Sequence, residues 1–251
     1  MTIHDDAIIR QFTRWAKPFA DLPIHAEADG MARSVAACAL SGTEELLDVA
    51  CGPGILTCAL AGEARAVAGI DVTAAMIEQA RAREAAMGLG NLDWHVGNAA
   101  ALPFADNRFD RVVTRYSFHH MTDPVAILAE MRRVCRPGGR IVVIDATPSP
   151  ETQAAYDRME TLRDPTHTSA LTLDQLRVLG REAGLCEVLV DSYLLEARLD
   201  TLTDAQDMPA LTAMFDADIA SGQDAIGVGA WHAPDGVRFR FPISIIAWEK
   251  P

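Results

Sequence analysis

The chain has 251 residues, 49% of them hydrophobic, enough to bury the core of one large domain. Its 35 acidic side chains outnumber the 22 basic ones. The resulting formal charge of −13 argues against nucleic acid and anionic membranes as partners, because Lys and Arg hold both.

No run approaches the roughly 18 apolar residues of a membrane span. The opening Met-Thr-Ile-His-Asp-Asp lacks the basic and apolar regions of a secretion signal. The five cysteines (Cys38, Cys51, Cys58, Cys135 and Cys186) form no C-x-x-C pair and read as reduced thiols. A cytoplasmic location is the expectation.

Before residue 44 the pattern is helical. Ile8, Ile9, Phe12 and Trp15 share one face by spacing, and Met31, Val35 and Leu40 mark a second helix. From 44 to 145 strands and helices alternate. Strands are predicted at 46–50, 66–70, 92–96, 111–114 and 140–145, with helices at 55–61, 74–87 and 124–135. Such alternation implies a parallel sheet with helices on both faces and right-handed crossovers. Ligands of such sheets bind beyond the carboxyl ends of the strands.

After the fifth strand the regular pattern is interrupted. Residues 151–162 read as a helix, and Thr172 or Asp174 starts another that runs to Ala183 and stops at Gly184. Residues 185–193 read as a strand and 199–221 as helical. Residues 237–248 alternate, with Val237, Phe239, Phe241, Ile243 and Ile245 on one face, and suit a final antiparallel strand. Pro242 marks an edge or a bulge there. The domain organisation is N-terminal helices over 1–43 and one α/β domain over 44–251. Segments 150–170 and 199–221 are expected to cap its site.

The most informative stretch is Leu46-Leu47-Asp48-Val49-Ala50-Cys51-Gly52-Pro53-Gly54. Small residues at Ala50, Gly52 and Gly54 let the backbone pass close to a ligand. The helix that follows presents free N–H groups. Asp71 closes the next strand about 20 residues on, where a nucleotide-binding βαβ unit places the acid for ribose hydroxyls. A dinucleotide fingerprint wants Gly or Ala three residues after Gly54, and Thr57 stands there, which argues against NAD.

An acid followed by alternating small residues resembles motif I of the class I S-adenosylmethionine (SAM) methyltransferases, with Ala50 replacing the usual first glycine. Gly97-Asn98-Ala99, Leu102-Pro103-Phe104 and Phe109-Asp110 resemble that family's adenine-binding loop and the start of its fourth strand. Arg115–His120 and Arg132–Gly139 resemble its segments after strand four and before strand five. The subgroup with the most similar pattern contains ubiquinone/menaquinone-biosynthesis and natural-product methyltransferases. The resemblance implies a Rossmann-like, seven-stranded, mostly parallel sheet of order 3-2-1-4-5-7-6. It implies SAM as cofactor, S-adenosylhomocysteine (SAH) as product, and the first helix as a lid. It implies cofactor contacts at Asp48, Ala50, Gly52, Gly54, Asp71, Val72, Met76, Asn98, Ala99 and Arg115. Asn98 replaces the more usual Asp, keeping an acceptor oxygen but losing charge assistance.

The methyl of SAM is already electrophilic, so such an enzyme must place the acceptor in line and exclude water. A hydroxyl or acidic-carbon acceptor must also lose a proton to a base with pKa near neutrality. His119 and His120, after strand four, are the candidates, with His119 expected to point inward. Asp145 is the candidate to orient the histidine or bind substrate, and His167 to contact substrate from the cap. Tyr156 and Met159 are candidates for the roof. Structural readings compete at each: a hydrogen-bonding core histidine, a loop carboxylate, a surface histidine. Cys51 reads as a small packing residue. The His pair with Asp123 lacks metal-ligand spacing. No Asn/Asp-Pro-Pro-Tyr/Phe follows strand four, where many nucleic-acid amino-methyltransferases carry it. A small-molecule acceptor methylated at oxygen or carbon is the leading expectation. The alternatives are a SAM-binding fold repurposed for a non-methylation reaction, or a macromolecule methyltransferase.

Overall fold

A computed structural model describes residues 2–21 and 23–251. Two helices, α1 (Ile3–Asp21) and α2 (Ala28–Ala37), precede the sheet. The carboxylate of Glu27 caps α2 by accepting from the N–H groups of Asp29 and Gly30. Leu40, predicted within this helix, lies past its end but still packs on the core.

The alternating region folds as β1 (Glu45–Val49), α3 (Ile55–Ala61), β2 (Ala66–Asp71), α4 (Ala74–Met87), β3 (Leu92–Val96), β4 (Phe109–Arg115), α5 (Pro124–Val134) and β5 (Cys135–Ala146). The inner strands are apolar nearly throughout because helices cover both of their faces. β1 to β5 pair in parallel. One correction falls at 135–139, predicted as a helix end and turn. These residues belong to β5, as a bulge opposite the step from Phe109 to Arg111. Gly139 makes it feasible: a Cβ there would meet Cys135 Sγ at 2.6 Å and Asp110 O at 2.9 Å.

The rest comprises α6 (Gln153–Arg163), α7 (Leu173–Glu182), β6 (Cys186–Arg198), α8 (Leu199–Leu202), α9 (Met208–Ser221), β7 (Trp231–Ala233) and β8 (Gly236–Glu249). Thr172 starts α7 with a reciprocal capping box to Gln175, a motif worth about 1 kcal/mol. The sheet order is β3-β2-β1-β4-β5-β8-β6, with β7 added to β8 as a short hairpin. Apart from that extra strand, this is the expected 3-2-1-4-5-7-6 arrangement.

β8 runs antiparallel to both β5 and β6. Its alternation feeds the two layers: Phe239, Phe241, Ile243 and Ile245 enter one apolar cluster, Ile246 and Trp248 the other. Pro242 makes no bulge, since the register runs unbroken through Leu194↔Pro242. β5 ends at Ala146, opposite Ile243, so the missing N–H of Pro242 breaks no ladder bond with β5, and its carbonyl accepts from Thr147 N at 2.7 Å. β6 outruns its predicted end at 193 because β8 extends past β5 and keeps it paired to Arg198. Among the described residues no helix is long and apolar enough to cross a membrane.

Candidate active site

A cavity of about 350 Å³ opens where β1, β2 and β4 end, within the size range of small-molecule sites. Nine of the ten predicted cofactor residues line it: Asp48, Ala50, Gly52, Asp71, Val72, Met76, Asn98, Ala99 and Arg115. Helix α1 covers it with His4, Asp5, Ile8, Phe12 and Phe19.

Gly54 is the exception, and its role is corrected. It is the left-handed residue that starts α3, with φ of 72°. A Cβ there would strike Trp94 at 2.6 Å and Ala80 at 2.9 Å, so this glycine serves packing inside the protein. Gly52, with φ of 53°, faces open space. The two glycines therefore fail differently. Gly54→Val should lower stability by about 2–4 kcal/mol through overpacking and backbone strain. Gly52→Val should lose about 1–2 kcal/mol through strain and should block SAH binding by filling the cavity. Thermal melting with SAH calorimetry separates them; equal melting points in the two variants would count against this assignment.

Thr57, which the sequence offered only as a reason to exclude NAD, donates its hydroxyl to Asp48 Oδ2 at 2.6 Å. Asp48 Oδ1 is buried without a partner among the described residues. Burial pushes the Asp48 carboxyl up to about 7, against the Thr57 bond and the charge of Arg115. An unpaired buried acceptor on the cavity wall fits a cationic donor such as the ammonium of an amino acid. Asp71 accepts from Gly52 N at 2.9 Å and from Thr73 N at 2.8 Å, one bond to each oxygen. A second lone pair on each oxygen is left to accept hydroxyls, which fits a ribose. Burial raises its pKa, and the two backbone N–H groups oppose that.

Asn98 lines the cavity and also has structural partners. Its oxygen closes a turn by accepting from Ala100 N at 2.8 Å, and its amide reaches Asp5 Oδ2 on α1 at 3.4 Å. The residue thus stitches the loop to the covering helix. The Arg115 guanidinium lies over the Tyr116 ring, 4.3 Å from its centroid. Tyr116 is held at φ of 56°, and its hydroxyl pairs with that of Tyr193 at 2.6 Å. Such strain costs about 1–3 kcal/mol and often marks functional positions.

A second cavity, about 100 Å³, adjoins the first and shares Phe12, Phe19, Tyr116 and His120 with it. Trp15, Tyr156, Leu195, Leu202, Phe241 and Ile243 give it an apolar wall. His119, Asp145, Glu160, Arg163 and Asp164 give it a polar one, and Gln11 of α1 adds an uncharged amide. β4 leads into the 3-10 turn Phe118–His120, and Asp145 is the penultimate residue of β5, so adjacent strands deliver the pair. His119 Nδ1 lies 2.6 Å from Asp145 Oδ1. The Asp145 carboxylate is fixed by the N–H groups of His119 and Ala146. Burial by itself would lower the His119 pKa, but the charge and hydrogen bond of Asp145 outweigh it and the net shift is upward. Asp145 in turn is held below its usual value, its burial overcome by His119 and the backbone donors.

His167 is corrected. It is not among the residues lining either cavity. Its side chain is 1% exposed, and Nε2 lies 2.7 Å from Asp157 Oδ1, behind His119. The surface placement weighed for it also fails. Met159 is likewise a core residue, whereas Tyr156 does reach the second cavity. Of segment 199–221, Leu202 lines that cavity, while Leu211 and Phe215 of α9 pack in the core. Asp123 caps α5 by accepting from Ala126 N at 2.9 Å. Cys51 packs beside Cys58, Ile77 and Trp94, and burial pushes its thiol far up.

The sequence reading missed Glu160, Arg163 and Asp164. Arg163 grips Glu160 through Nε at 3.0 Å and Nη2 at 2.6 Å. A signal was present: Tyr156, Glu160 and Arg163 follow at spacings of four and three and so share one face of α6.

Residues 47–143 match the family described as "Methyltransferase domain". The chain is 26% identical over 201 residues to the uncharacterized methyltransferase YcgJ of Bacillus subtilis (strain 168), covering 79% of each. It is 42% identical over 120 residues to the ubiquinone/menaquinone biosynthesis C-methyltransferase UbiE of Roseobacter denitrificans, over 45% of this chain and 48% of that one. The match thus spans about half of that relative. In fold, the crystal structure of YcgJ matches with a TM-score of 0.80 at 21% identity, covering 88% of this chain and 98% of the other. A geranyl diphosphate methyltransferase in complex with SAM matches with a TM-score of 0.65 at 16% identity, covering 90% and 86%. The motif I loop, the sheet order and these likenesses agree: residues 47–143 match a methyltransferase domain, and the chain has the class I, Rossmann-like methyltransferase fold.

Proposed function

We propose that the protein methylates a small-molecule acceptor at oxygen or carbon, releasing SAH. The observation that carries this reading is the His119–Asp145 pair, 2.6 Å apart, on the wall of a second cavity that adjoins the motif I cavity. Bound SAM supplies an electrophilic methyl group. Asp48, Gly52 and Asp71 hold that cofactor, and α1 acts as its lid. Asp145 keeps the proton of the neutral imidazole on Nδ1 and leaves the Nε2 lone pair to take the acceptor proton. The imidazolium so formed is stabilised by the Asp145 carboxylate. Phe12, Phe19 and Tyr116, common to both cavities, keep water from the junction. The acidic surface and the small, mostly apolar second cavity favour a small molecule over a nucleic acid.

The test is a metabolite-extract screen with isotopically labelled SAM. Methylated small molecules and equimolar SAH are expected. SAH binding without any methylated product would replace this reading by a non-transferring one, and label on protein or RNA by a macromolecular one. The lid has its own test. Amide exchange across residues 3–21 is expected to slow when SAH saturates the protein, because His4, Asp5, Ile8 and Phe12 close on the cavity. Exchange in α1 indifferent to SAH would remove the lid assignment.

A further inference from the structure

The second cavity contains two hydrogen-bond acceptors, 4.0 Å apart, with no donor between them among the described residues. Asp164, 6% exposed, uses one oxygen twice. Oδ1 accepts from Thr166 N at 2.9 Å and from the Thr166 hydroxyl at 2.6 Å. Oδ2 makes no hydrogen bond among the described residues, and His120 Nε2 lies 4.0 Å from it, too far for one.

The state of His120 follows from its other nitrogen. Nδ1 lies 3.1 Å from the Thr166 carbonyl and 3.2 Å from the Thr166 hydroxyl. The carbonyl only accepts, and the hydroxyl proton already points at Asp164, so Nδ1 must donate. In the neutral ring Nε2 then carries a lone pair. Burial and the neighbouring His119 charge keep the ring neutral by holding its pKa well below the usual value.

The charge of the polar wall points the same way. Its one permanent cation, Arg163, is bound to Glu160, and His119, neutral when it serves as base, is hydrogen-bonded to Asp145. The third carboxylate, Asp164, is left over. The wall therefore disfavours an anion and seeks a donor.

We propose that the acceptor is a neutral or cationic molecule with two donor groups close together on an apolar frame. One, the methylated group, lies at His119; the other is a hydroxyl that donates to Asp164 Oδ2, or a protonated amine that donates to both Asp164 Oδ2 and His120 Nε2. The His119 and His120 rings are 4.2 Å apart centre to centre, which brings the two donors near each other. His120 lines both cavities, so the second bond fixes the acceptor against the cofactor site. Asp164 is thus a specificity-determining residue. This inference rests on the methyltransferase reading of the site.

The test is calorimetry on the protein saturated with SAH, using catechol (two adjacent donors), phenol (one) and benzoate (an anion). Catechol is expected to bind at least about tenfold more tightly than phenol, and benzoate more weakly than either. Asp164→Asn keeps the Thr166 bonds through its oxygen and turns its amide toward the His120 lone pair. It should bring catechol to within about twofold of phenol, with SAH affinity and melting temperature undiminished. Equal affinity for catechol and phenol, benzoate binding as tightly as catechol, or a catechol advantage that survives Asp164→Asn would overturn the inference and leave the methyltransferase reading standing. Failure of SAH itself to bind would overturn both.

Discussion

His119→Ala should transfer methyl about 10²–10⁴-fold more slowly than the unaltered protein in a single turnover, because the acceptor loses its base. Its affinity for SAM should barely change, since His119 lines the second cavity and not the first. The alanine leaves Asp145 as a buried carboxylate without its main partner, which costs about 3–5 kcal/mol. His119→Asn is the companion variant: its amide still donates toward Asp145, so the fold is kept while the base is lost. Asp145→Asn should slow the reaction as well. With one carboxylate oxygen gone, the imidazole proton shifts to Nε2 and the lone pair no longer faces the cavity.

The pH profile sharpens this prediction. A base works when deprotonated, so activity is present above its pKa and lost as the pH falls through it. The Asp145 charge raises the His119 pKa past the cost of burial. The rising limb should therefore lie above the unperturbed histidine value of about 6.5. His120, held low by burial and by His119, should contribute no limb near neutrality. A wild-type rate and pH profile in both His119→Ala and His119→Asn would mean that proximity alone drives transfer.

The second large effect belongs to Asp71. Asp71→Ala should weaken SAM by about 10²–10⁴-fold, since each of two hydroxyl bonds to a charged acceptor is worth about 1.5–3 kcal/mol. The variant also frees the N–H groups of Gly52 and Thr73, which the two oxygens now hold. Part of the loss is therefore a looser motif I loop. Asp71→Asn should fall between, because one of its two positions becomes a donor facing a backbone donor. SAM calorimetry with circular dichroism as the check on fold decides it; unchanged affinity in a folded Asp71→Ala would remove the ribose assignment. NADH should not compete at comparable concentration.

The half of the site proposed to hold the cofactor was legible because it is local. Strand end, small-residue turn and helix start are consecutive in the chain, and Asp71 follows at a spacing fixed by one βαβ unit. Even there the reasons lie in the tertiary structure. Gly54 reads as a ligand-facing glycine, but its space is taken by Trp94, 40 residues away on β3. Thr57 reads as a missing glycine, but its hydroxyl holds Asp48. Asn98 reads as an adenine contact, and its amide also joins α1 to the loop, which the sequence did not show.

The half proposed to take the acceptor was legible only in part. His119, His120 and Asp145 stand at the ends of β4 and β5, and parallel neighbours bring their carboxyl ends together. His167 could not be placed, because its exposure depends on how the segment after α6 folds back on His119. Glu160, Arg163 and Asp164 carry no motif, and only the helical spacing from Tyr156 hinted at a shared face.

By itself the sequence determined the alternating architecture, the small-residue loop after β1 and the resemblance to methyltransferases. Period, turn chemistry and motif spacing are properties of neighbours along the chain. The tertiary structure alone decided which histidine meets a carboxylate, which glycine serves packing, and where two acceptors stand without a donor. Those outcomes depend on distances between residues 26 to 46 positions apart, set by strand order and by how α6 and its following loop fold onto β4 and β5.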